Sequence, residues 1–141
     1  MNVPIALEVG RKLEEELYVH TIGTSLGTSA ELKHGPLTMV KGRSLIFVAP
    51  LGTEYDKIFA NMREAQSRKA KIIAVATRGD ELIESITSDI IWIPKSSEFL
   101  SPILSAVALH LLTYHLGGRE KGKKVRNFDR PRNLAKSVTV N

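Results

Sequence analysis

Cysteine is absent from this chain of 141 residues. Disulfides, thiolate metal ligands and a cysteine nucleophile are thereby excluded, and the composition fits a reducing, cytoplasmic compartment. Aromatic residues are scarce, at 6% with one tryptophan, so no stacking platform for nucleic-acid bases is in view. A clean run of apolar residues long enough for a bilayer is also lacking. Phe99–Leu116 comes near the length, but Ser101, Pro102, Ser105, His110 and Thr113 interrupt it, as expected of a core or interface helix and not of a membrane span. The opening residues, MNVPIALEVGRKLEEE, mix acids and bases without an apolar centre, which a signal peptide needs. No Gly-x-Gly-x-x-Gly, Walker lysine, Gly-x-Ser-x-Gly elbow or His/Asp/Glu group with metal spacing occurs. Neither a metal nor a cofactor is expected.

What is present is an ordinary globular composition, 43% hydrophobic and 25% charged. The length suits one domain over residues 1–141. The formal charge is +5. Between Gly117 and Arg132 seven basic residues face two acidic ones, so this segment alone carries the excess. It reads as a basic connector, 117–133, leading to a C-terminal tail. A basic run can attract nucleic acid, but no helix-turn-helix pattern accompanies it, and nucleic acid is not the expected partner.

Apolar spacing orders the rest. Ile5, Val9, Leu13 and Leu17 recur every fourth position, and Pro4 fits a first helical turn. SLIFVAP (44–50), KIIAVAT (71–77) and DIIWIP (89–94) are short continuous apolar runs ended by turn residues, as strands buried on both faces should be. Between them lie a helical pattern with Ile58, Met62 and Ala65, for which Thr53 is the expected N-cap with Asp56 in the capping-box position, and a short helix, ELIESI. The apolar helix of 99–116 closes the series. Strands alternating with helices predict an α/β fold: a parallel sheet flanked by helices on both faces, joined by right-handed crossovers, with an irregular C-terminal tail.

Four places could carry chemistry. Glu8, Lys12 and Glu15 share one helix face within about 60° of arc. They form either an exposed ion-pair ladder or a carboxylate poised by an ammonium to move protons. The loop Gly23–Ser29, with its hydroxyls and glycines, is either a linker or a weak phosphate cradle. His34, in SAELKHGPL, is either a surface histidine or an acid–base group suited to neutral pH. Lys136, in NLAKSVTV, is either a solvated tail charge or, if partly buried, an imine-forming amine.

Three segments, ALEVGRKLEEELYVH, ELKHGPL and RPRNLAKSVTVN, together resemble the C-terminal part of the glucosamine–fructose-6-phosphate aminotransferases (isomerizing). More narrowly, they resemble the second sugar-isomerase (SIS) subdomain, from about Pro4 to Val140. The resemblance implies a single SIS domain acting on a sugar phosphate, with fructose 6-phosphate and ammonia giving glucosamine 6-phosphate. It implies that Lys136 meets the sugar carbonyl and forms an imine, that Glu15 moves a proton between C1 and C2, and that His34 opens the sugar ring from the neighbouring subunit. Glu8, Lys12 and Ala135 match substrate-binding positions. The family's glutaminase needs a cysteine, which is lacking here, so no glutaminase activity is expected. The first SIS subdomain and its phosphate loop have no counterpart in this sequence. The chain is therefore expected to work as a homodimer or in assembly with a chain carrying the first SIS subdomain and the glutaminase. The alternative is a non-catalytic sugar-phosphate-binding module or a truncated remnant. Residues 21–30 are a few residues longer than the family pattern, and Thr24, Ser25, Thr28 and Ser29 are candidates to replace the phosphate loop.

Overall fold

The computed structural model describes residues 3–17 and 44–117, with side chains over 3–13 and 44–116. Seven elements follow in order: α1 (Val3–Leu17), β1 (Ser44–Ala49), α2 (Tyr55–Ser67), β2 (Lys71–Thr77), α3 (Glu81–Glu84), β3 (Ile90–Ile93) and α4 (Ser101–Gly117). The strands pair parallel in the order β1-β2-β3, with Ser44 opposite Lys71 and Ala74 opposite Ile90. β1 stops at Ala49, because the next residue, Pro50, has no N–H to give the ladder.

Side chains alternate across a strand, and here the alternation divides the core in two. Phe47, Ala49, Ile72, Ala74 and Ala76 pack with Tyr55, Met62 and Ala65 of α2 and with Ile83 and Ile86. The intervening residues Val75 and Ile93, with Ile46, Val48 and Ile91, pack with Ile5, Val9 and Leu13 of α1 and with Ala108 and Leu109 of α4. Helices thus cover both faces, as the two-sided apolar runs require. β2 is the centre of the sheet, and Ala74, Val75 and Ala76 are fully buried.

Local chemistry fixes the helix ends. Asp80 caps α3, its Oδ1 accepting from the N–H groups of Leu82 (3.2 Å) and Ile83 (3.4 Å). α2 closes with Lys69 in the left-handed region at φ 60°. The Lys69 N–H reaches Gln66 O at 2.9 Å and the Ala70 N–H reaches Ala65 O at 3.1 Å, a Schellman closure with lysine where glycine is usual. The start of α2 corrects the sequence expectation. Glu54, not Thr53, holds the N-cap position, and its side chain makes no capping bond. Thr53 is drawn away by a stronger acceptor, since its hydroxyl donates to the Glu98 carboxylate.

α4 buries Leu109 together with several smaller residues. Ser101, Ser105, Ala108 and Thr113 face inward, while Ile103, Val107, Leu111 and Tyr114 are exposed. Ser101 and Thr113 satisfy their hydroxyls within or beside the helix, on Glu98 O at 2.9 Å and Leu109 O at 3.0 Å. Among the described residues no helix is long and apolar enough to cross a membrane.

Candidate functional site

Among the described residues, two places gather polar groups. The first lies where α1 meets α4. Ile5, Val9 and Leu13 hold α1 against Ala108 and Leu109. Glu8 and Lys12 each precede a buried residue, about 100° round the helix, which sets them at the edge of the contact. There they meet His110, the neighbour of buried Leu109. Lys12 Nζ lies 3.7 Å from Glu8 Oε1 and 3.2 Å from His110 Nε2. The same Nε2 lies 3.2 Å from Glu8 Oε1. All three side chains are partly exposed, so a small solute can reach them. A carboxylate, an ammonium and an imidazole at this spacing can bind a polyol and relay a proton.

The Glu8–Lys12 contact is the one expected from the i,i+4 spacing. Glu15 belongs to α1, but its side chain lies outside those described. His34, Ala135 and Lys136 lie outside the described residues, as do Thr24, Ser25, Thr28, Ser29 and the connector that follows Gly117. His110 is the residue that sequence reasoning passed over. It stood out only as a polar break in an apolar run, and nothing local ties position 110 to positions 8 and 12.

The second place is the carboxyl edge of the sheet, where open α/β folds commonly take ligands. The chain's own bonds knit it together. Leu51 donates its N–H to Thr77 Oγ1 at 3.0 Å, and Arg78 donates its N–H to Ile93 O at 2.8 Å. Glu98 sets one carboxylate oxygen against the Thr53 hydroxyl (2.8 Å) and the other against the Thr53 N–H (3.3 Å). Beneath this edge the Tyr55 hydroxyl and Asp80 Oδ2 are buried without a hydrogen bond. Burial pushes the Tyr55 phenol well above its ordinary value, and the nearby Asp80 carboxylate adds to the effect. No hydrogen bond of good geometry joins the two, and the carboxylate acts through its negative charge. Among the described residues no group of three His, Asp or Glu side chains could hold a metal ion.

No protein-family model matches the chain. Individual proteins do. Glutamine–fructose-6-phosphate aminotransferase [isomerizing] of Chlorobaculum tepidum is 43% identical over 140 residues, covering 99% of this chain and 22% of that protein. The protein of the same name from Methanosarcina acetivorans is 42% identical over 143 residues, with 99% and 22% covered. Among solved structures, the C-terminal domain of glucosamine-fructose-6-phosphate aminotransferase from Francisella tularensis superposes with a TM-score of 0.69 at 30% identity, covering 81% of this chain and 32% of that one. The chain spans about a fifth of the length of these curated relatives. The parallel sheet with helices on both faces is the sugar-isomerase architecture of that domain.

Proposed function

Since the chain is homologous over nearly its whole length to the C-terminal domain of glutamine–fructose-6-phosphate aminotransferase, we propose that it forms the sugar-isomerase part of a site making glucosamine 6-phosphate from fructose 6-phosphate and ammonia. The observation that carries this reading is the 43% identity across 140 residues. The rest of the site comes from a second copy or from a chain carrying the first SIS subdomain and a glutaminase, and the compartment is the cytoplasm.

The proposed chemistry divides by side chain. His34 takes and returns the proton needed to open the furanose, which suits an imidazole near neutral pH. Lys136 attacks the C2 carbonyl, water leaves, and an imine forms. Ammonia then replaces the lysine at C2. Glu15 removes a proton from C1 and delivers it to C2, so that one carboxylate serves both halves of the shift and the 2-ketose becomes a 2-amino aldose. Glu8, Lys12 and the backbone at Ala135 hold the substrate. A positive group near C2 stabilises the charge that develops in the enolamine.

The test is to supply fructose 6-phosphate and ammonia to the folded chain, alone and with the first SIS half of a relative. Glucosamine 6-phosphate is expected with the partner. A folded chain yielding no product in any pairing rules the enzymatic reading out and leaves the non-catalytic sugar-phosphate module. Borohydride is expected to trap the sugar on Lys136; equal labelling of Lys136→Ala shows that assignment to be wrong. A chain that stays monomeric in the active assembly contradicts the placing of His34 across a subunit boundary.

A further inference from the structure

The proposed chemistry leaves one group at the α1–α4 contact without a part, His110. Its Nε2 stands 3.2 Å from Lys12 Nζ and 3.2 Å from Glu8 Oε1, and a single nitrogen cannot bond both. An ammonium only donates and an ionised carboxylate only accepts. Nε2 therefore accepts from Lys12 when it holds a lone pair, and donates to Glu8 when it holds a proton. In the second state a ring N–H is pressed against the ammonium. In the first state Lys12, with three protons, serves both Nε2 and, at 3.7 Å, Glu8 Oε1, and the ammonium between them offsets the approach of two acceptors 3.2 Å apart.

We propose that His110 is a positioning residue: with its proton on Nδ1, it accepts from Lys12 at Nε2 and fixes the ammonium on the face of α1 that also carries Glu8 and Glu15. This rests on the reading that the face binds the sugar. Glu8 and Lys12 are the charged groups that meet His110 from α1, and Tyr114 lies one turn along α4. The strand residues in the cluster that holds α1 and α4, Ile46, Val48, Val75, Ile91 and Ile93, are apolar, so among the described residues this face of the sheet offers the ring no competing partner. Anchoring by a neighbouring helix matters because a free lysine side chain gives up considerable rotamer freedom when it binds a ligand.

Nitrogen-15 NMR of the full chain, with the His110 signals assigned by their loss in His110→Gln, tests the contact directly. The neutral ring is expected to carry its proton on Nδ1 and to move it to Nε2 in Lys12→Met. A wild-type ring protonated on Nε2, unchanged by Lys12→Met, overturns the proposal. In a pairing that makes product, His110→Ala is expected to raise KM for fructose 6-phosphate roughly tenfold with a smaller change in kcat. His110→Gln, whose amide oxygen accepts in place of Nε2, restores most of the loss. Equal KM in all three proteins overturns the proposal as well. If the wild-type chain makes no product, the enzymatic reading falls, and the ring tautomer alone decides whether His110 holds Lys12.

Discussion

Thr53 and Glu98, 45 positions apart in the chain, are joined twice: hydroxyl to Oε2 at 2.8 Å and backbone N–H to Oε1 at 3.3 Å. The pair ties the loop after β1 to the loop after β3 and sets a negative charge at the N-terminus of α2, where the helix dipole favours it. Gly52 makes room for this. A Cβ there would meet Glu98 Cδ and Oε1 at 3.3 Å. Glu98→Ala is therefore expected to cost about 1 kcal/mol and to speed amide exchange at Thr53. Gly52→Ala should displace the same flexible carboxylate, so the two changes should be less than additive in a double-mutant cycle. Full additivity in urea unfolding would show that the glycine serves another purpose.

Tyr55 makes stability depend on alkaline pH. Its phenol is held above the ordinary value of 10.0 by burial and by Asp80. Below pH 10 the phenol is neutral folded and unfolded, and its contribution is fully present. Above that, the unfolded chain loses the proton first, so stability falls until the pH passes the raised folded value. Tyr55→Phe should remove this part of the loss and, by deleting an unbonded buried hydroxyl, cost little at pH 7. Urea unfolding of both proteins at pH 7 and pH 11 checks it; curves falling equally with pH contradict it.

Lys69 occupies a backbone conformation that a side chain tolerates poorly, φ 60° at the close of α2. Lys69→Gly is expected to stabilise the fold by roughly 0.5–1 kcal/mol, the relief of strain exceeding the added freedom of the unfolded chain. A lower urea midpoint for the variant would contradict this.

Met62 is fully buried between α2 and the sheet. Met62→Ala should cost about 2–5 kcal/mol through lost burial and a residual cavity, whereas Leu82→Ala, at an exposed position, should stay within about 0.5 kcal/mol of the wild type. Comparable losses in thermal unfolding would mean that the packing of α2 is not as described.

Much of the fold was legible in local spacing. KIIAVAT became β2 over the expected residues, and the runs at 44–50 and 89–94 became β1 and β3 with an end residue or two removed. Ile5, Val9 and Leu13 proved to be the buried stripe of α1. Of the candidate site, the Glu8–Lys12 contact was legible because residues four apart on a helix are neighbours. Thr53 misled because its hydroxyl had two possible partners, and the remote carboxylate won.

The sequence by itself determined which segments become strands and helices, and that both faces of the sheet need covering. Those properties follow from backbone geometry and from the hydrophobic cost of leaving each run in water, and both act over a few residues. Only the tertiary structure decided which face of α4 turns inward. Hydropathy does not separate Leu109, which is buried with Ser105 and Ala108, from Ile103 and Leu111, which are exposed, because these side chains are similarly apolar and only the packing of α4 against α1 and the sheet distinguishes them. Only the tertiary structure, too, brought His110 to Lys12 across 98 positions. That meeting depends on how α1 packs against α4, and no pattern local to either helix contains it.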